Sequence, residues 1–199
     1  PFWFSFFTSP HFEVVLSPES SRKLYIKGQH TIPSDTVCYP AKLLHGHVEA
    51  LVEDGVDAVW YPCMSYNNDE GIGDNHFNCP VVAYYPELLA ANMPTLKQVK
   101  FLDPYVGLWR RKDFRKRIAA IMAEEFSVPK QESLSAATAA YAAYDAYMED
   151  IRRTGAEYVD YARAHGHNIA VVCGLPYHID PEINHGINDL FTSFGFVLI

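Results

Sequence analysis

Positive charge, cysteine and long apolar runs are all scarce in this sequence. Its 199 residues carry 16 Lys and Arg against 24 Asp and Glu, which gives a formal net charge of −8. That balance argues against a nucleic-acid partner, because such binding depends on neutralising phosphates. Four cysteines are too few for a disulfide scaffold, and none are spaced as the CxxC pairs of a zinc finger. No apolar run approaches the roughly 20 residues of a membrane-spanning helix.

Apolar residues are nevertheless abundant, and they reach both ends of the sequence. Hydrophobic residues make up 49% of the chain, enough to build a sizeable core. Five of the first seven residues are aromatic, and residues 194–199 resemble a strand interrupted midway. Because natural termini are usually polar, we expect an excised piece of a longer protein. The loss of disordered ends is the alternative.

Short apolar runs alternate with stretches of helical periodicity, which predicts an α/β fold. The expected strands cover 12–16, 56–61, 81–85, 100–102 and 168–173, with another from 196 onward. The expected helices cover 2–8, 40–52, 86–92, 112–126, 131–165 and 187–192, and Gly155 is a point where the long helix could kink. We expect an α/β lobe over 1–103, a helical part over 104–167 and the start of a second α/β lobe over 168–199.

Three cysteines occupy similar places in the predicted fold. Cys38 lies two residues before Pro40, Cys63 follows Pro62 and Cys79 precedes Pro80. Loops at strand ends gather at one edge of an α/β sheet, and three thiolates there could hold an iron–sulfur cluster. The alternative is that they are small buried hydrophobic residues. Cys173, inside a predicted strand, is expected in the core.

Two polar segments are further site candidates. Lys42, His45 and His47 fall in the first turns of a predicted helix, where an anion or a thiolate would be stabilised. The two histidines cannot share one helix face, so they are not expected to bind a metal together.

The other segment, 174–186, follows a predicted strand and carries His178, Asp180 and His185. It fits either a rigid site on the same edge as the cysteine loops or a tight loop whose polar groups bind its own backbone.

A basic run near the middle contrasts with the acidic chain. Six cations fall within residues 110–117, and they suit either a solvated helix face or a site for the phosphates of coenzyme A or for an acidic partner. The chain contains no GxxxxGK(S/T) phosphate loop, so it should not hydrolyse ATP by itself.

Four linked motifs resemble a known family: the uncharacterised domain of the large activator-related proteins of 2-hydroxyacyl-CoA dehydratases, also called CoA-substrate-specific enzyme activases. The motifs run from Ser34 to Lys42 with His45-Gly46-His47, from Tyr61 to Cys63, from Asp74 to Pro80, and from Pro176 to Asp180 with Asn184-His185-Gly186. The resemblance spans nearly the whole sequence. One departure is Leu175, where the family usually has arginine.

The resemblance implies Rossmann-like lobes with mostly parallel sheets, akin to dehydratase subunits that hold a 4Fe–4S cluster by three cysteines. By that likeness Cys38, Cys63 and Cys79 would be the metal ligands of a low-potential electron-transfer domain. Motif residues that would then line the cofactor site are Lys42, His45, Tyr177, His178, Asp180, Asn184 and His185. The resemblance also implies an anaerobic, cytoplasmic setting. The implied partners are the ATPase modules of the same long chain and the dehydratase subunits or an acyl-CoA. The alternative is a non-catalytic docking or CoA-binding module whose cysteines are structural or bind zinc.

Overall fold

A computed structural model describes residues 1–69, 71 and 73–199. The helices are α1 (Phe2–Thr8), α2 (Arg22–Gly28), α3 (Tyr39–Glu53), α4 (Pro80–Asn92), α5 (Arg111–Phe126), α6 (Lys130–His165), α7 (Pro181–Asn184) and α8 (Ile187–Ser193), and the strands are β1 (Ala58–Trp60), β2 (Lys100–Leu102), β3 (Ile169–Ala170) and β4 (Val197–Leu198). Short 3₁₀ turns cover Gln29–Thr31, Pro94–Gln98 and Pro176–Ile179. The chain is mostly helical, with small parallel strand pairs, so the α/β prediction holds only in this coarse form.

The helix predicted over 40–52 is confirmed as α3. Pro40 lies in its first turn, where a missing backbone N–H costs nothing. Ala41, Val48 and Val52 are buried and belong to one core that also contains Leu89 of α4. Gly55, two residues past the end of α3, has φ +78°, a left-handed conformation that glycine adopts without strain.

The strand predicted over 81–85 is wrong, because these residues are the first part of α4, while the helix predicted over 86–92 is its second part. Its β-branched and aromatic start favours a strand by propensity. The buried positions instead follow a helical step of three, at Ala83, Pro86 and Leu89. Burial of this face outweighs both the local propensity and the hydrogen bond that Pro86 cannot donate inside the helix.

β1 and β2 form a parallel pair at the predicted positions. Val59 lies opposite Phe101, and the pairing continues past the strands as a bridge between Cys63 and Tyr105. The strand predicted over 12–16 is wrong. In this stretch Phe12 packs against the aromatic core, while Leu16 is 72% exposed and has no strand partner.

The long helix predicted over 131–165 is confirmed as α6, a single helix of 36 residues that Gly155 does not interrupt. Its first half packs on α5 and α1. Phe2, Phe114 and Tyr141 meet edge to face, with ring centroids 4.9 to 5.7 Å apart. The predicted division at residues 103 and 167 stays a prediction, although α1 packs with the helical part rather than with α3 and α4.

Arg111 and Asp145 join α5 to α6 across the protein surface. The guanidinium donates two hydrogen bonds, of 2.8 and 2.7 Å, to the two carboxylate oxygens. Both side chains are about half exposed, so water screens the pair. We expect Asp145→Asn to lower the free energy of unfolding by no more than about 1 kcal/mol, measured by urea denaturation. A loss several times larger would contradict this reading of the pair.

Residues 168–199 form a small α/β unit, in which β3 and β4 pair in parallel over two residues each. The buried strand predicted over 168–173 is wrong in length and burial: Val171 is 67% exposed, and Cys173 is exposed rather than in the core. A parallel sheet is normally buried on both faces, and this strand lacks that cover. Each sheet in the described residues has two strands, so Rossmann-like lobes are not confirmed.

Candidate functional site

Cys38 and Cys79 occupy the same structural position on two neighbouring helices. Cys38 is the N-cap of α3 and Cys79 the N-cap of α4, and in each case a proline follows within the first turn. Both thiols are exposed, and neither caps its helix with a side-chain hydrogen bond. The positive end of a helix dipole favours an anion, so both positions suit a thiolate.

Cys63 differs from these two because it is fully buried just beyond β1. Its backbone N–H donates to the Pro104 carbonyl at 3.0 Å, and its own carbonyl accepts from Val106 N–H at 3.1 Å. Burial raises the pKa of the Cys63 thiol, and the nearby carboxylates of Glu87 and Asp103 add to the rise. Cys63 is therefore a neutral thiol in this setting.

The three thiols lie around α4, but at different levels along it. Cys63 adjoins the Glu87 backbone, which hydrogen-bonds to its thiol, whereas Cys79 stands eight residues earlier at the start of the helix. Eight residues correspond to a rise of about 12 Å. Cys38 is near Tyr85, whose pKa is raised to about 12 by burial and, secondarily, by the Cys38 charge.

Lys42 lies one turn into α3, and its ammonium group hydrogen-bonds to the loop that precedes the helix. Its Nζ donates a hydrogen bond to the backbone carbonyl of Asp35 at 2.7 Å. Lys42 follows Cys38 by four residues, and its predicted role as a positive charge beside a thiolate stays a prediction.

His45 is fully buried and both of its ring nitrogens are satisfied. The Thr31 hydroxyl donates to the Gly28 carbonyl at 2.8 Å, so we assign it as acceptor of the His45 Nδ1 proton at 2.7 Å. Nε2 is then unprotonated and accepts from the Tyr85 hydroxyl at 3.0 Å. Burial, reinforced by the charge of His30, lowers the pKa of His45 to about 4.

His47 contacts different residues from His45, as the helical spacing predicted. Its Nδ1 lies 2.8 Å from the Ser17 hydroxyl and its Nε2 lies 3.0 Å from the Ser20 hydroxyl. Burial lowers the pKa of His47, and the charge of Asp180 opposes that shift. The two histidines of the His45-Gly46-His47 motif therefore contact separate elements.

The 176–186 segment is tied mainly to its own backbone. His178 Nδ1 accepts from Leu175 N–H at 2.8 Å, and Asp180 caps α7 by accepting from the N–H groups of Glu182 and Ile183. Asn184, which is buried, donates to the His178 carbonyl at 3.0 Å. His185 is exposed with φ +54°.

Other side chains of this segment have fewer contacts. The Tyr177 ring packs on His178, with centroids 4.7 Å apart. Leu175, the residue that departs from the family pattern, is 53% exposed.

Tyr39 and Glu182 bring this segment to the start of α3, a contact that sequence reasoning missed. The Tyr39 hydroxyl donates to Glu182 Oε1 at 2.7 Å, joining residues 143 positions apart. No local pattern marks such a pair. The contact places the 176–186 segment beside Cys38, while the role of its side chains at a cofactor stays a prediction.

The comparison with family models gives one match. The model described as the CoA enzyme activase uncharacterised domain matches residues 1–199. The chain belongs to this family. No curated protein and no solved structure matches it. The resemblance carried by the four motifs is thereby confirmed.

For a CoA enzyme activase domain, the donor set fits an iron–sulfur cluster in its chemistry: three free thiols, two of them at helix N-termini. The arrangement is less favourable, since in residues 1–69, 71 and 73–199 no three His, Cys, Asp or Glu side chains are placed to hold one metal ion. A shared cluster at Cys38, Cys63 and Cys79 therefore stays a prediction.

The basic run of this activase domain is partly engaged in structural contacts. Arg111 pairs with Asp145, Arg115 donates to the Leu134 carbonyl at 3.4 Å, and Arg110 stacks over Trp109 at 4.0 Å. Binding of CoA phosphates there stays a prediction. In the part of the chain that the structure describes, no helix has both the length and the apolarity that a bilayer crossing requires.

Proposed function

We propose that this domain serves a CoA enzyme activase as an electron-transfer module for 2-hydroxyacyl-CoA dehydratase, with an iron–sulfur cluster on Cys38, Cys63 and Cys79. When bound, a 4Fe–4S cluster supplies a one-electron carrier. The observation that carries the proposal is the shared placement of Cys38 and Cys79 as N-caps of α3 and α4. ATPase modules of the same chain and dehydratase subunits are the proposed partners.

The two helix starts provide the electrostatic support that thiolate ligands require. Unpaired backbone N–H groups in the first turn of each helix give a partial positive charge. Lys42 adds a full charge one turn into α3, fixed by its bond to the Asp35 carbonyl. Cys38 and Cys79 are thus the two thiols that lie at helix N-termini.

Cys63 would join last, because its thiol must first lose a proton against a raised pKa. Metal binding releases thiol protons, and the energy of ligation can drive this step. Tyr105 donates a hydrogen bond to Glu87 at 2.5 Å beside the thiol, and that pair would have to adjust if Cys63 moved. Cluster assembly should therefore be slower at low pH, where the Cys63 thiol is more fully protonated.

The test is the iron and sulfide content of the 199-residue chain after anaerobic reconstitution. We expect the parent to bind both and Cys63→Ser to lose most of each, because one of three ligands is gone. Cys173→Ser is the matched control: Cys173 is another free cysteine, outside the proposed site, and its loss should leave both contents unchanged.

Equal iron in the parent and in Cys63→Ser would end the cluster proposal. Parent protein that binds neither iron nor sulfide would favour the alternative, a docking or CoA-binding module with structural cysteines. Zinc in place of iron, lost in Cys63→Ser, would assign the same ligands to a structural metal.

A further inference from the structure

The segment 175–188 is a preassembled unit. The Asp180 carboxylate caps α7, the Asn184 amide bonds the His178 carbonyl and Asn188, and His178 bonds the Leu175 amide. Each of these bonds lies within the segment. The segment can therefore move as one body without breaking its own hydrogen bonds.

Its attachment to the rest of the chain is sparse. Among the hydrogen bonds of the described residues, the bond from Tyr39 to Glu182 is the one that joins residues 168–199 to residues 1–160. Within 168–199, Asn184 is the one buried residue. No apolar core therefore holds this unit against α3. The Tyr39–Glu182 hydrogen bond does so, and the Asp180 carboxylate also lies near His47 of α3.

The two sides of that contact differ in how they are held. The Tyr39 ring packs on Tyr25 of α2, with centroids 5.4 Å apart, and Arg22 stacks on Tyr25 at 4.8 Å. On the other side, the unit continues from α6 through Gly166, which has φ +70°. Tyr39 is thus packed against α2, while Gly166, the C-cap of α6, is a residue type with wide backbone freedom.

From this arrangement we propose that the Tyr39–Glu182 hydrogen bond is a latch that holds the 168–199 unit closed over the start of α3. The latch lies one residue from Cys38, so opening it moves the 176–186 segment away from an N-terminus of α3 whose Cys38 is already exposed. The pivot is the chain around Gly166. The proposal concerns this motion alone, and it stands or falls independently of whether a cluster binds.

The test is hydrogen exchange of backbone amides, followed by mass spectrometry, in the 199-residue chain. The measured variants are Tyr39→Phe, Glu182→Gln and the double variant. A bond to a carboxylate is stronger than a neutral one, so each single variant should speed exchange in residues 176–193 by about tenfold. Exchange in α5 should not change, which also shows that the variants are folded.

The double variant should exchange no faster than the faster single variant, because Tyr39→Phe removes the bond that Glu182→Gln weakens. Tyr158→Phe, which removes a hydroxyl from an exposed tyrosine of α6, should match the parent. The latch is overturned if the single variants exchange at the parental rate, if exchange accelerates equally in α5, or if the two effects add.

Discussion

Replacing Gly46 with alanine is expected to lower the free energy of unfolding by about 3 kcal/mol or more, because α2 and α3 touch backbone to backbone at this residue. A Cβ at position 46 would lie 1.9 Å from the Leu24 carbonyl oxygen, and one at Gly28 would lie 2.2 Å from the Gly46 nitrogen. Backbone atoms cannot rotate away, so the helices would have to separate. Overpacking of this kind typically costs about 1–3 kcal/mol and occasionally more.

Gly155→Ala is the matched control for this prediction. Gly155 also lies inside a helix, but nothing is within 4 Å of an added Cβ. There alanine should stabilise the protein by about 0.5–1 kcal/mol, since it is the better helix former. Urea denaturation of both variants gives the comparison. If Gly46→Ala were as stable as the parent, the close crossing of α2 and α3 would be wrong.

The spacing of apolar residues correctly predicted α3 and α6, the helices in which one face is regularly buried. The stripe along 131–165 gave α6 nearly to the residue, and the pattern of α3 gave its start at the proline and its end before Gly55. Each of these helices has a face that is buried by its neighbours. In such cases the spacing of apolar residues is enough to predict the helix.

The wrong predictions concern short apolar runs whose structure and burial depend on contacts with distant parts of the chain. Residues 81–85 have the β-branched and aromatic residues of a strand, yet they form the first turns of α4, which packs on α3. Cys173 sits in an equally apolar run, but its neighbours Val171 and Val172 are exposed. An apolar run alone distinguishes neither strand from helix nor buried from exposed.

Part of the site could be read from the sequence and part could not. Proline beside Cys38 correctly marked the start of α3, because proline is favoured in a first turn. The helix start at Cys79 was missed, since the apolar residues after Pro80 were predicted to form a strand. The bond between Tyr39 and Glu182 joins residues 143 positions apart, so no local pattern could reveal it.

The sequence His45-Gly46-His47 fits either a cofactor site or a structural role, and the sequence alone does not distinguish the two. In the structure His45 fills a buried network, Gly46 allows two helices to meet, and His47 joins α3 to Ser17 and Ser20. Each residue has a packing role that explains its type. A cofactor role for His45 would require this network to open.

His45 makes the stability of the domain depend on pH in a predictable direction. Its pKa falls from an ordinary value of 6.5 to about 4 in the folded protein, mainly because of burial. The unfolded chain therefore binds a proton more readily than the folded chain between these values. Stability from this residue is fully present above pH 6.5 and is lost as the pH falls toward 4. The difference corresponds to a loss on the order of 3 kcal/mol.

His45→Gln is expected to remove most of this dependence while keeping a buried polar group. Glutamine can still donate toward Thr31 and accept from Tyr85, but it does not titrate. At pH 7.5 the variant should be less stable than the parent by about 1–2 kcal/mol, since its geometry matches the two partners less well. At pH 5 the two proteins should approach each other, because only the parent loses stability by protonation of this residue.

The free energy of unfolding of both proteins is measured by urea denaturation at pH 7.5, 6 and 5. The decisive quantity is how the difference between parent and variant changes with pH. Carboxylates that titrate in the same range cancel in that difference because both proteins carry them. His47 cancels as well, and the exposed His167, replaced by glutamine, serves as the control for loss of a histidine. If the difference in free energy of unfolding between parent and variant stayed constant from pH 7.5 to 5, the pKa of His45 would not be lowered by folding. The closed network of Thr31, His45 and Tyr85 would then be wrong.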